Sequence, residues 1–341
     1  MSSNVTLKQI AEELGVSAMT VSRVINNKKN VDEQTRKRVL EKAASMGYTP
    51  NHVAKSLVSK KTHTIGVVIP EIHHAFFSEI VSGIEEVVYK KNYHLFLTNS
   101  AESSERERDV IEALKSKRVD GILISCAETS DDIEYYKRLV RDGTKLVFFD
   151  RCVENIGASC VSVNDETSSY QITQHLIEHG YKSIAHLHGP NKVSVGRERL
   201  KGFKKALEDN ELQVNDKWIV ESGFRESGGY EAMNYILNLP KNEWPRGVVA
   251  VNDPAAFGAI KAIKEHGYSI PDDIAIVGFS DDIRAELLPC PLTTIRQPAF
   301  TLGKKAAEKL IKTIENEDEP IENIQIVTEM IVRSSCGCNN S

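Results

Sequence analysis

At 341 residues, with 40% hydrophobic and 27% charged residues, the chain has the composition of a soluble globular protein of two or three domains. No apolar run approaches the ~20 residues that cross a bilayer. The opening MSSNVTLKQIAEELG has no apolar signal core, so export is not expected and a cytoplasmic location is. The net charge of -5 hides an asymmetry: residues 1–61 hold 11 Lys/Arg against 5 Asp/Glu, so the head is +6 and the rest is -11. A basic head on an acidic body suggests that the head alone meets a polyanion, although a solvated helix surface would also account for the bias.

The first predicted element follows Thr6. Thr6 and Gln9 fit a capping box, and Leu7, Ile10, Ala11 and Leu14 fall on one helical face. Gly15 can take positive φ and end that helix. Ser17 caps a second helix, with Val16 and Val21 as a hydrophobic staple and Val21, Val24 and Ile25 turned inward. Ala18, Met19, Thr20, Ser22 and Arg23 are left facing outward. Asp32 caps a third helix with Val39, Leu40, Ala43 and Met46 inward and Gly47 at its end. Two helices joined by a glycine turn and backed by a third form a helix-turn-helix. The second helix is short and rich in Ser, Thr and Asn, which are poor helix-interior residues. Those side chains suit phosphate contacts at short range, and Thr6, Ser17, Thr20, Ser22 and Asn26 are the candidates. Arg23 can reach a guanine edge or a phosphate.

PNHVAKSLVSKK follows, with Val53 and Leu57 on one face, too short to be a stable helix alone. From Thr62 the chain alternates apolar strands such as TIGVVIP and KLVFFD with amphipathic helices. The rhythm restarts after CVSVND with SIAHLHGP, GVVAVND and IAIVGFS. Two such series predict two Rossmann-like lobes of parallel strands, and ligands in such sheets sit beyond the C-terminal strand ends. The strand ends carry Phe76, Phe77 and Phe224, Arg197 and Arg199, Asn252 and Asp253, and Ser280, Asp281 and Asp282. Aromatic rings can sandwich the C–H faces of a sugar, while a guanidinium and a carboxylate can each bond two neighbouring hydroxyls. His73 and His74 stand in the same loop as the phenylalanine pair, where a polar ligand can be hydrogen bonded.

His186 and His188 share one face of a strand, but no third ligand is adjacent in sequence, so no metal site is expected. The six cysteines, Cys126, Cys152, Cys160, Cys290, Cys336 and Cys338, suggest no disulfide framework and are expected to stay reduced. The CGC pair reads as a flexible tail. Phosphate-binding glycine loops, H-E-x-x-H and G-x-S-x-G are absent, so neither an enzyme nor a cofactor is expected.

TLKQIAEELGVSAMTVSRVINN, VDEQTRKRVLEKAASMGYTPNHVAKSL and THTIGVVIP together resemble, in order and spacing, the LacI/GalR bacterial transcription repressors, and the resemblance runs over essentially the whole chain. It implies an α/β architecture: a helix-turn-helix head (1–49), a hinge (50–61), and a two-lobed body like a periplasmic binding protein. The first lobe would comprise 62–161 and 293–320, and the second 162–292 and 321–341. In that family the two positions after the GVS turn, Ala18 and Met19 here, read bases. The hinge, with Asn51, Val53 and Ala54, orders in the minor groove, where Leu57 matches a leucine that wedges between base steps. Phe76, Phe77, Phe224, Arg199 and Asp253 match the effector cleft. Ser280 stands where many members have Asp, and Asp281 beside it is the candidate to compensate. The resemblance implies a homodimer on a near-palindromic operator, controlled by a small polyhydroxylated effector, a sugar or sugar derivative. The competing reading is a corepressor-activated regulator that binds a purine or a protein partner.

Overall fold

A computed structural model describes residues 5–48, 61–129 and 132–338. The chain forms two compact units, Met1–Thr62 and His63–Ser341. The hinge positions Asn51, Val53, Ala54 and Leu57 lie outside the described residues.

In the head, α1 (Leu7–Leu14), α2 (Ala18–Ile25) and α3 (Glu33–Ser45) are each capped by the expected side chain: Thr6 in a reciprocal capping box with Gln9, Ser17 accepting from the Thr20 amide, and Asp32 accepting from the Thr35 amide. Gly15 ends α1 at φ 65, and a Cβ there would meet nothing within 4 Å. The glycine is therefore required by its backbone angle and not by space. Ile10, Ala11, Val21, Val24, Val39 and Ala43 form the core. Each Val or Ile so buried contributes about 1.5–3 kcal/mol, which a unit this small needs in full. Leu40, expected inward, is 48% exposed. The inward face of α3 is filled by Val39 and Ala43 instead.

The body has two six-stranded sheets. The first consists of β1 (Thr64–Ile69), β2 (His94–Asn99), β3 (Gly121–Ile124), β4 (Leu146–Phe149), β5 (Ser159–Val163) and β11 (Asn323–Ile326), in the order β11-β5-β4-β3-β1-β2, all parallel. The second consists of β6 (Ile184–His188), β7 (Ile219–Glu221), β8 (Gly247–Ala250), β9 (Ala275–Ser280), β10 (Thr293–Arg296) and β12 (Glu329–Ile331). Its order is β12-β10-β9-β8-β6-β7, with only β12 antiparallel. Continuous burial of β3, β4, β6 and β8 explains their unbroken apolar sequences, because helices cover both faces of a parallel sheet. The helices of the first lobe are α4 (Ala75–Lys90), α5 (Ser104–Ser116), α6 (Ile133–Arg141) and α11 (Ala299–Glu315). Those of the second are α7 (Asp165–Glu178), α8 (Ser194–Asp209), α9 (Glu226–Leu237) and α10 (Asp253–Glu265).

The chain passes between the lobes three times, after β5, after β10 and after β11. This moves two expected lobe boundaries. Residues 293–296, expected in the first lobe, extend the second sheet, because β10 pairs with β9 in register Thr293↔Val277. Residues 323–326, expected in the second lobe, extend the first, because β11 pairs with β5 in register Asn323↔Cys160. The cysteine expectation also fails at one pair. Cys152 and Cys160 form a disulfide, Cα atoms 6.0 Å apart, because the loop leaving β4 returns directly into the neighbouring strand β5.

Candidate functional site

The start of α2 is exposed. Ala18 and Met19 open α2, and Met19 is 64% exposed. Arg23 is exposed on the same helix. The hydroxyls expected at phosphates are partly occupied within the head. Thr6 Oγ1 accepts from the Gln9 amide, Ser17 Oγ accepts from the Thr20 amide and lies 2.9 Å from Thr20 Oγ1, and Asn26 Nδ2 donates to Ser22 O at 2.8 Å. These bonds fix the start of α1 and the start and end of α2. The side chains they leave pointing outward without such ties are Ala18, Met19 and Arg23.

In the body, each sheet changes strand direction of travel beside its first strand, between β1 and β3 and between β6 and β8. A crevice opens at such switch points, beyond the C-terminal strand ends. The two crevices face each other and make a cleft of about 350 Å³. From the first lobe, Phe76 and Phe77 enter at the start of α4, their ring centroids 5.4 Å apart and edge to face. Phe224, before α9, lines the other side. His74 caps α4, its Nδ1 accepting from the Phe76 amide at 3.3 Å. Burial, the largest cause, lowers the His74 pKa to about 4, which keeps that nitrogen free to accept.

Arg199 is 3% exposed and ties three elements together. Its Nε donates to Asp165 Oδ1 at 2.8 Å, its Nη2 lies 2.7 Å from the same oxygen, and its Nη1 donates to Val251 O at 2.6 Å. Its guanidinium carbon sits 3.5 Å from the centroid of the Phe279 ring. Asn252 also lines the cleft, but both polar atoms of its side chain are engaged, with Nδ2 on Phe224 O and Oδ1 on the Ala255 amide.

Three expected residues are elsewhere. Asp253 is fully buried beneath the cleft, where Oδ1 accepts from the Thr294 hydroxyl and Oδ2 from the Asp282 amide, each at 2.7 Å. Asp281 turns toward Arg296 and Arg333, at 2.7 and 2.8 Å, and so does not replace a carboxylate at position 280. Arg197 is a surface partner of Glu198 and Glu154.

Ser280 lines the cleft with its hydroxyl buried and, among the described residues, without a hydrogen-bond partner; Gln297 Nε2 is in the same position. Ser280 also holds φ 123, a backbone angle that costs a non-glycine residue about 1–3 kcal/mol and tends to persist at functional sites. Unmade hydrogen bonds on buried polar atoms are uncommon, and among the described residues Ser280 Oγ and Gln297 Nε2 are the two such atoms on residues lining the cleft.

Sequence reading missed Arg151. It lies 4.3 Å over the Phe224 ring across the cleft and is held by Glu102 at 2.8 Å. Its position just past the strand LVFF was the available signal. Arg225 likewise reaches Glu71 of the first lobe at 3.0 Å. Arg151, Arg225 and Arg284 are all matched by carboxylates at the cleft, so its polar lining offers donors and acceptors with little net charge.

The architecture now has a counterpart among known proteins. Residues 6–51 match the family described as bacterial regulatory proteins, lacI family, and residues 62–334 match periplasmic binding proteins and sugar binding domain of LacI family. The chain belongs to the LacI family. This LacI-family protein is 35% identical over 330 residues to the HTH-type transcriptional repressor PurR of Histophilus somni (strain 129Pt), covering 97% of this chain and 98% of that one. It superposes on the lac repressor dimer bound to operator and the anti-inducer ONPF with a TM-score of 0.86, at 26% identity over 98% and 99% of the two chains. The complex of the transcriptional regulator CelR with cellobiose gives 0.74, at 28% identity over 97% and 100%. The protein is thus a DNA-binding transcriptional repressor and not an enzyme.

Two buried carboxyls give the LacI-family body a pH signature. Burial, the largest cause in each case, raises Asp150 to about 6 and Asp253 to about 6. Each therefore binds its proton more tightly folded than unfolded. The stability this brings is complete below the unfolded value of ~3.9 and is lost as the pH rises through about 6. Asp150→Asn, neutral at every pH, should flatten the fall in melting temperature between pH ~4 and ~6. An unchanged slope in a calorimetric pH series would remove Asp150 as a contributor.

Proposed function

We propose that this repressor is controlled by a small, neutral, polyhydroxylated effector, a sugar or sugar derivative, bound between the two lobes. The observation that carries the reading is the pairing of phenyl rings from both lobes, Phe76 and Phe77 opposite Phe224, with the unpartnered Ser280 Oγ and Gln297 Nε2 between them. Aromatic faces take the apolar side of a sugar ring, and closely spaced donors and acceptors take its hydroxyls. Charge balance in the lining favours a neutral ligand over an anion. The cellobiose held by the CelR relative is of this class.

A purine is the second reading. It is favoured by the same opposed rings, between which a planar base can stack, and the relatives named PurR are the nearest in identity given above. Arg199 is proposed to contact either ligand and Ser280 the sugar, with His74, Phe76, Phe77, Phe224 and Asn252 shaping the pocket. DNA contact is assigned to α2 through Ala18, Met19 and Arg23, with Thr6, Ser17, Thr20, Ser22 and Asn26 setting its position. Two copies would read a near-palindrome, since one short helix spans only a few base pairs. The ligand changes operator affinity through its different affinities for two lobe arrangements, typically by ~1–3 kcal/mol per site.

Calorimetric titration of the full-length protein with neutral sugars, sugar phosphates and purines separates the readings. Ser280→Ala should weaken a sugar about 5- to 100-fold, because a buried hydroxyl contact is lost, and leave a stacked purine nearly unaffected. Operator titrations with and without the bound compound then give the sign of control. If no sugar binds and a purine does, the first reading fails.

A further inference from the structure

Away from the cleft, the second lobe gathers three soft donor side chains. Ser334–Cys336 form a 3-10 turn, and Gly337 follows at φ 75. That reversal returns Cys338 to the side of Cys336, and both thiols meet His175 on α7. Cys338 Sγ lies 3.1 Å from His175 Nε2, and the three donor atoms all fall within 4.8 Å of one another. Cys336 is fully buried, His175 is buried and Cys338 is partly buried.

This is not the loose tail expected from the sequence. Ser335 Oγ donates to Ile276 O at 2.6 Å and accepts from the Thr293 amide at 2.8 Å, so the turn is bolted to the starts of β9 and β10 in the second sheet. Thr293 Oγ1 sits 3.2 Å from Cys336 Sγ. The His179 ring packs on the His175 ring at 4.4 Å, and its Nδ1 is 2.7 Å from His175 O, which limits how the imidazole can turn. Gly337 is needed twice over: its φ is positive, and a Cβ there would come 2.6 Å from Tyr181 Oη.

We propose that Cys336, Cys338 and His175 bind a zinc ion, with two thiolates and one imidazole nitrogen as protein ligands and a fourth position open to solvent. The site is empty in this structure. The donor set selects the class of ion: thiolate and imidazole suit Zn²⁺, whereas Mg²⁺ and Ca²⁺ need oxygen. Neighbours such as Thr293 and His179 are the kind of outer contacts that orient such ligands. Binding would lock residues 334–338 onto α7, the helix whose first residue, Asp165, holds Arg199 at the cleft.

The test uses full-length protein, purified under reducing conditions, stripped with chelator and then titrated with Zn²⁺ or Co²⁺. Expected are about one ion per chain, the charge-transfer and visible bands of tetrahedral cobalt–thiolate, and a higher melting temperature with excess zinc. Cys338→Ser, at the partly buried position, should keep the fold and operator binding. It should weaken the metal by at least 10- to 100-fold and abolish the zinc-dependent thermal shift. His175→Gln should do the same and change the cobalt spectrum. Three results would overturn the proposal: no cobalt–thiolate bands although thiol counting shows both cysteines free, bands that persist in Cys338→Ser, or a Cys336–Cys338 disulfide in protein alkylated directly on cell lysis.

Discussion

Arg199→Ala should lower the unfolding free energy of the body by about 3–5 kcal/mol, the usual cost of leaving one partner of a buried ion pair behind. Asp165 is 7% exposed, and Arg199 supplies its ion-pair contacts. The same change strips Val251 O of a donor and uncovers the Phe279 ring. Arg199→Lys keeps the charge but not the fork that binds Asp165 and Val251 together, so it should fall between the two. Denaturant titration of the full chain measures this directly. A loss below ~1 kcal/mol would show that Asp165 finds water or another partner. The sequence reads Arg199 as an effector contact, and the buried pairing makes it a structural keystone of the second lobe. Loss of ligand response in Arg199→Ala would therefore not by itself locate the ligand, which is why Ser280→Ala is the cleaner probe.

The second large effect belongs to the head. Residues 1–61 carry +6 and the rest of the chain -11, so attraction to DNA is confined to the head. With about six to ten phosphate contacts, operator affinity should fall ~10³- to 10⁵-fold between ~50 and ~200 mM salt. Fluorescence anisotropy with labelled operator reads the slope, and a flat profile would defeat the electrostatic account. Arg23→Ala divides the roles within α2. A base contact is lost more on operator than on random DNA, whereas a phosphate contact is lost equally on both.

The head was almost fully legible, because its signals are local. Thr6, Ser17 and Asp32 cap the helices they precede, and Gly15 turns where positive φ is needed. The two-lobed α/β body and the positions of Phe76, Phe77 and Phe224 also follow from strand-end chemistry. What sequence could not supply is the direction of side chains fixed by distant partners. Asp253 looked like a ligand acceptor, but Thr294 and the Asp282 amide, far along the chain, hold it below the cleft. Arg151 looked ordinary until Phe224 and Glu102 were brought beside it. Cys152 and Cys160, read as free thiols, are joined because two adjacent strands share a loop, and the assignment of β10 and β11 depended on which sheet edge was free. Apart from the disulfide, whose cysteines are 8 residues apart, these turn on long-range pairing, which periodicity does not encode.

The three passages of chain between the lobes have a consequence for how this body can be taken apart. They leave from neighbouring places, since Val163 is in register with Ile326 and Arg296 with Glu329. Neither lobe is therefore a contiguous stretch of polypeptide. A proteolytic nick in the middle crossing leaves two fragments that each still thread both halves, and a nick in either of the others leaves one fragment that does, so the halves stay associated on a gel filtration column and separate only in denaturant. Fragment expression or domain swapping with a relative must respect three junctions at once, and a graft made at any single one of them divides a sheet instead of exchanging a lobe.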